Sequence, residues 1–445
     1  MSFEQPKFKE RPEIKPEMGP RKPKETIPQN FSDAKESLEK EFRKKSFSEK
    51  HISEFQTREA PIRGAENPET TRGEVFRFER GQILKGYNIL RKQIRDAEEK
   101  GEDATEKKRL LKEIRGRAKV LEKDLDELNR QYYENVKNVE IETEYGKFSV
   151  PVAELDLKRK EDEESEKDER IPYFLLGGVA TNYHQTAALS MGLALDGRRV
   201  LVPAWPEQAM VGRPDNFSEL LKQQKGLELH KEYAKQTIRS IGLDKVNIMG
   251  YSMGGAVALE LAQDQDFKEM QDLVVVEPLG LEKKGTAGLG KDFMIKEGLL
   301  KTFPYSEARI KTYLQGNRES VGSWDFLLEN NRILSKKHFD AEKLGKIMPK
   351  GRYQLWFGAK SSITDRKTAE KVFSEAEDLR KQQDPDASPI EIHIVKGGTH
   401  GWPCMNSLGF SRLLKEEKPK EQVTTVKLSE LENSGMARII KNIKE

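Results

Sequence analysis

The stretch Lys245-Val246-Asn247-Ile248-Met249-Gly250-Tyr251-Ser252-Met253-Gly254-Gly255-Ala256-Val257-Ala258-Leu259-Glu260-Leu261-Ala262 decides how the chain is read. It opens as a short strand, passes through a glycine-rich turn and closes on strong helix formers. A serine at the tip of such a turn is held in strained backbone geometry, and Gly250 and Gly254 leave room where side chains would collide. The bare G-x-S-x-G pattern arises by chance in roughly one chain in seven of this length at average Gly and Ser usage. The strand before it and the small-residue helix after it make Ser252 a candidate nucleophile. It would also stand at a helix N-terminus, whose unpaired amides and positive dipole end favour developing negative charge.

A serine hydroxyl needs a base near neutral pH, and histidine has the fitting unperturbed pKa. The chain holds six histidines. His51 falls in a polar tail, His230 and His338 fall in helical or insert regions that read as solvated, and His393 falls inside a strand where packing is expected. His400 follows that strand in Lys396-Gly397-Gly398-Thr399-His400-Gly401-Trp402, a glycine-rich loop at a strand C-terminus, where parallel sheets assemble their sites. His400 is the candidate base, with His184, shortly after an early strand, as the second choice.

Outward from the turn, apolar runs recur at Ile171–Leu176, Arg199–Val202, Leu273–Val276, Tyr353–Phe357 and Ile390–Val395. The gaps between them suit helical crossovers, so a parallel sheet is expected. About 75 residues separate Val276 from Tyr353, more than one helix requires, which predicts an inserted cap at about 281–350. The insert holds Phe293, Met294, Leu299, Leu300, Phe303, Tyr305, Tyr313, Trp324, Phe326 and Leu327, which shape an apolar pocket or form the cap's own core. Before the sheet, Val139, Ile141, Thr143 and Tyr145 alternate, a turn falls around Gly146, and Phe148, Val150 and Val152 alternate again; this predicts a β-hairpin. Earlier still, Ile83, Tyr87, Leu90, Ile94 and Ala97, then Leu111, Ile114, Ala118, Leu121, Leu125, Leu128 and Tyr132, recur at spacings of three and four around Gly101. A helical hairpin or coiled coil over 76–137 is expected, either packed on the rest of the chain or used for self-association or partner binding. Residues 1–75 are rich in Pro, Lys and Glu and read as a disordered charged tail, and 416–445 reads as a charged segment with a short helix.

The 79 basic and 76 acidic residues nearly cancel to a net +3, too even a mixture to advertise nucleic-acid binding. No run of about 18 apolar residues offers a membrane span. The one cysteine excludes an internal disulfide and a cysteine-based zinc site, and no export signal is seen, so a cytoplasmic protein without cofactor or metal is expected.

Strand, serine turn and helix at Ser252, a histidine loop after the last strand and a glycine pair after an early strand together resemble the α/β-hydrolase fold family, over residues 138–415. The resemblance implies a mostly parallel sheet with helices on both faces, a helical cap, and an order of Ser, then acid, then His. It implies an oxyanion hole built from the Met253 amide and one from Gly177-Gly178-Val179, with Val179 first and Gly178 next in register. It places the acid at Asp365, since Ser361 occupies the usual position in Gly358-Ala359-Lys360-Ser361, with Glu277 at the end of an earlier strand as alternative. Tyr251, Trp205 and Trp402 are candidate substrate contacts; for Trp205 core packing is the competing role. The implied activity is serine hydrolysis of a small-molecule carboxylic ester or thioester. Acyl transfer, other hydrolyses with the same residues, and a non-catalytic interaction protein are alternatives.

One rival motif is Gly285-Thr286-Ala287-Gly288-Leu289-Gly290-Lys291, which has the spacing of a phosphate-binding loop. Asp292 stands where such loops carry Ser or Thr and would repel phosphate. The preceding strand also ends too early to launch the loop.

Overall fold

In a computed structural model of the chain, the described residues are 87–134, 136–157, 170–178, 183–208, 211–223, 226–292, 324–405, 407–414 and 422–427. The expected tail at 1–75, the start of the hairpin at 76–86 and the expected helix within 428–445 lie outside them, as do Val179 and the apolar insert residues from Phe293 to Tyr313.

Helices α1 (87–98) and α2 (Thr105–Tyr133) flank a turn in which Gly101 takes a φ of +69°, a value that glycine adopts without strain. The end of α2 places Leu125, Leu128 and Tyr132 in the main core. Gln131 beside them donates to the Asp156 carbonyl at 3.0 Å and accepts from the Asp156 amide at 2.8 Å. Of the two readings of the helical pattern, packing against the rest of the chain is therefore realised for this stretch.

The strands are β1 (Lys137–Thr143), β2 (Gly146–Leu155), β3 (Tyr173–Leu176), β4 (Val200–Pro203), β5 (Val246–Tyr251), β6 (Met270–Val276), β7 (Tyr353–Gly358), β8 (Ile390–Lys396) and β9 (Val423–Lys427). Among the described residues they form one sheet in the order β1-β2-β4-β3-β5-β6-β7-β8-β9. β1 and β2 are the expected antiparallel hairpin, with Ile141 opposite Phe148, and β2 also runs antiparallel to β4. From β4 through β9 every pairing is parallel. β3, β4, β5 and β7 are buried at every position, as strands covered on both faces must be. This is the α/β-hydrolase fold expected from the sequence.

β4 lies on one side of β3 and β5 on the other. The chain thus reverses its direction across the sheet at β3, and the loops leaving β3 and β5 diverge at their carboxyl ends. Such a switch point opens a crevice without any further device. The helices that follow are α3 (Tyr183–Leu195), α4 (Phe217–Gln223), α5 (Glu228–Ile241), α6 (Met253–Gln263), α7 (Thr286–Lys291), α8 (Trp324–Leu334), α9 (Ala341–Gly345), α10 (Arg366–Gln383), α11 (Trp402–Met405) and α12 (Ser407–Leu413).

One sequence expectation changes. Residues 423–427 form an edge strand parallel to β8, inside the segment read as charged and helical, so the sheet continues past residue 415. Only Val426 of this strand is buried, and with so little apolar surface the run carried no burial signal. The Gly285–Lys291 motif is no phosphate loop: Thr286 to Lys291 coil into α7, and β6 has already ended at Val276. Among the described residues no helix is long and apolar enough to cross a membrane.

Candidate active site

The turn after β5 takes the shape the glycines allow. A Cβ on Gly254 would lie 2.0 Å from the Leu176 carbonyl oxygen, and one on Gly250 would lie 2.2 Å from the Gly254 oxygen. Any side chain at either position would push strand from helix. Between them Ser252 has φ +58° and ψ −116°, a left-handed conformation that costs a non-glycine residue about 1–3 kcal/mol. Serine at a helix start commonly caps the helix with its own oxygen. Ser252 makes no such bond; its Oγ lies 3.0 Å from His400 Nε2, although 148 residues separate the two in sequence. Both residues are buried, Ser252 at 2% and His400 at 5% exposure.

The other ring nitrogen of His400 faces an acid. Nδ1 stands 3.5 Å from Glu277 Oε2, a contact longer than an ordinary N–H···O bond. Glu277 directly follows β6 and is fully buried. Its Oε1 accepts hydrogen bonds from the Gly358 amide at the end of β7 and from Trp402 Nε1 at 3.2 Å. Glu277 has φ +51°, and it and Ser252 are the non-glycine residues with positive φ among the described residues. Backbone strain therefore falls on the two residues that meet the imidazole from either side.

Asp365 sits elsewhere. It is the N-cap of α10, its carboxylate accepting from the Thr368 amide at 2.8 Å, and that bond, together with one to the Thr368 side chain, holds its pKa below the usual carboxylate range. The structure brings Ser252, His400 and Glu277 together and gives Asp365 a capping role. The physical reason is local: a long helix begins at Arg366, and aspartate is a favoured residue immediately before one.

The three aromatic candidates are all buried with their polar atoms used inside the protein. Tyr251 donates to the His400 carbonyl at 3.0 Å, and its ring lies 5.4 Å from the imidazole at a 30° tilt. Trp402 donates to Glu277. Trp205 donates to the Gly177 carbonyl at 2.9 Å, and the same carbonyl accepts from the Gly254 amide at 3.0 Å. The indole thus pins the loop after β3 to the start of α6. These contacts frame the site and are not exposed surfaces awaiting a ligand.

On the oxyanion side, Met253 is the first residue of α6, a position whose amide has no intrahelical acceptor. Gly178 is buried beside the Gly177 carbonyl that Gly254 holds, while Val179 and the side chain of His184 lie outside the described residues. Among the other histidines, His393 packs as expected, stacked on Trp356 at 3.9 Å and 12°. His230 departs from its solvated reading: it is completely buried, and its Nε2 bonds the buried Glu207. A sign of this was present: Leu227, Tyr233 and Ala234 stand three or four positions from His230, the spacing of one helix face. No group of His, Cys, Asp and Glu that could hold a metal is present among the described residues.

No family model matches the chain, and no curated protein matches it. Solved structures that resemble it include a carboxylesterase from Bacillus subtilis, at 13% identity and a TM-score of 0.44, covering 66% of this chain and 95% of that one. A meta-cleavage product hydrolase from Pseudomonas fluorescens gives 12% identity and a TM-score of 0.45, covering 62% and 95%. A bromoperoxidase from Bacillus anthracis gives 15% and 0.44, covering 62% and 98%.

Proposed function

We propose that the chain is a serine hydrolase that cleaves a small carboxylic ester or thioester through an acyl-enzyme on Ser252. The observation that carries this reading is the 3.0 Å approach of His400 Nε2 to Ser252 Oγ, with the buried Glu277 carboxylate on the far side of the same ring. In this role Ser252 attacks the acyl carbon while His400 takes the hydroxyl proton and later passes it to the leaving oxygen or sulfur. Water, deprotonated by the same imidazole, then releases the acid and restores Ser252. Glu277 takes the place first expected for Asp365: it orients the ring with its proton on Nδ1 and stabilises the imidazolium that forms. The Met253 amide and one from Gly178-Val179 receive the oxyanion, in keeping with the dipole end of α6. Nothing in this sequence of steps calls for a metal or organic cofactor.

A panel of p-nitrophenyl esters of rising acyl length tests the proposal. Turnover by the wild-type chain that disappears in Ser252→Ala is expected, and the preferred acyl length defines the substrate class. Equal turnover by the two chains would overturn it.

A further inference from the structure

Glu207 follows β4, in the turn that contains Trp205. Its Oε1 receives His230 Nε2 from α5 and Asn330 Nδ2 from α8 of the insert, the latter at 2.8 Å. All three residues are buried, at 2% exposure or less. A second contact between the same elements runs alongside: the Arg213 guanidinium donates to the Glu207 carbonyl at 3.2 Å and lies 4.7 Å over the Phe326 ring of α8. Trp205 closes the chain of contacts, its ring meeting the His230 ring edge-on at 5.6 Å and its Nε1 holding the Gly177 carbonyl. A charged acceptor removed from water is poorly tolerated unless its donors stay in place, so the carboxylate holds both partners to one geometry.

We infer that Glu207 is a positioning residue for the proposed reaction: it fastens the insert helix α8 to the turn that seats Trp205 beneath the oxyanion loop. The inference rests on the hydrolase reading only for its effect on turnover. The fastening itself is a property of the fold and is measured separately. It sets a dependence of the Gly177-Gly178 loop on the insert.

Hydrogen exchange on the full chain, followed by mass spectrometry, tests the fastening in wild type, Asn330→Leu, His230→Leu and His230→Gln. Asn330→Leu is expected to speed exchange across residues 324–334 by roughly ten- to a hundredfold, the range for losing a hydrogen bond to a charged group. His230→Gln, which keeps a donor for Glu207, is expected to stay near wild type, and His230→Leu to lose protection. On p-nitrophenyl acetate, His230→Leu is expected to lower kcat several-fold with KM within twofold, and His230→Gln to restore it. Exchange in 324–334 within twofold of wild type in Asn330→Leu, or equal behaviour of His230→Gln and His230→Leu, would overturn the inference. If Asn330→Leu fails to fold, Asn330→Ser carries the same exchange test. A wild-type chain without esterase turnover but with these exchange results would sink the hydrolase reading and leave the fastening standing.

Discussion

The His400–Glu277 and His230–Glu207 pairs use the same two side-chain types, and both are withdrawn from water. They differ in what surrounds them. His400 stands at the carboxyl ends of the parallel strands with a strained serine 3.0 Å from its second nitrogen. His230 is clamped inside α5, its acid shared with an asparagine, and its Nδ1 has no hydrogen-bond partner among the described residues. A buried histidine–carboxylate pair is thus no mark of catalysis by itself. In the proposed reaction, the serine on the far nitrogen and the place at the carboxyl ends of the parallel strands separate a proton relay from a structural tie.

The largest expected effects fall on the first pair. Ser252→Ala and His400→Ala should each lower kcat by about 10⁴- to 10⁶-fold in steady-state assays, with thermal unfolding little changed. Glu277→Gln should cost about 10⁴-fold, because the amide no longer fixes the imidazole in the required tautomer. Asp365→Asn should leave turnover within a few-fold, since an asparagine can still cap α10. If Asp365→Asn abolished activity and Glu277→Gln did not, the two acids would have to exchange roles.

The second pair should answer in stability. Glu207→Ala leaves His230 and Asn330 without their acceptor and should destabilise the fold by about 3–5 kcal/mol in denaturant titrations. Acid should weaken the same contact. Burial raises the carboxyl pKa, but His230 and its hydrogen bonds, together with Asn330, outweigh burial and bring the value below the ordinary one of about 4.3. A lowered folded pKa means that the unfolded chain binds the extra proton first. The stabilisation is therefore present above the ordinary value and is lost as pH falls through the folded one. The groups facing this carboxylate are His230, Asn330, Arg213 and Tyr233. Glu207→Gln should flatten the acid limb of a stability–pH curve below about pH 4, measured by thermal unfolding.

A smaller effect sharpens the geometry around His400. Tyr251→Phe removes one hydrogen bond to the His400 carbonyl, worth about 0.5–1.5 kcal/mol, and should lower kcat a few-fold with KM unchanged. In α2, by contrast, Leu128→Ala should cost about 2–5 kcal/mol of stability with kcat unaltered, since that residue packs in the core far along the chain from the serine turn.

Much of the fold was legible because the strands carry their own signal. Short apolar runs separated by gaps long enough for helical crossovers marked β3 to β8 within one to three residues at their ends, and alternation marked the β1–β2 hairpin. The serine and histidine were legible for a related reason: each lies in a glycine-rich loop at a strand end, where backbone demands leave a trace in the sequence. The acid was not. Glu277 is one carboxylate at the end of an apolar strand, and its partner is reached through the sheet order, which sequence spacing does not encode. Asp365 drew attention by proximity to the usual site, while its place before a long helix marked a cap. His230 was misread because burial of a polar side chain depends on a partner from a distant segment, here Glu207, 23 residues away. β9 was missed because an exposed edge strand shows neither alternation nor a continuous apolar run.

The central claim is that the Ser252 hydroxyl is activated by His400. A fluorophosphonate probe, followed by peptide mapping, tests it most directly. The expected result is modification of the peptide carrying Ser252 in the wild-type chain, lost in His400→Ala and retained in Asp365→Asn. Modification of a different residue, or equal labelling of Ser252 with His400 removed, would contradict the account.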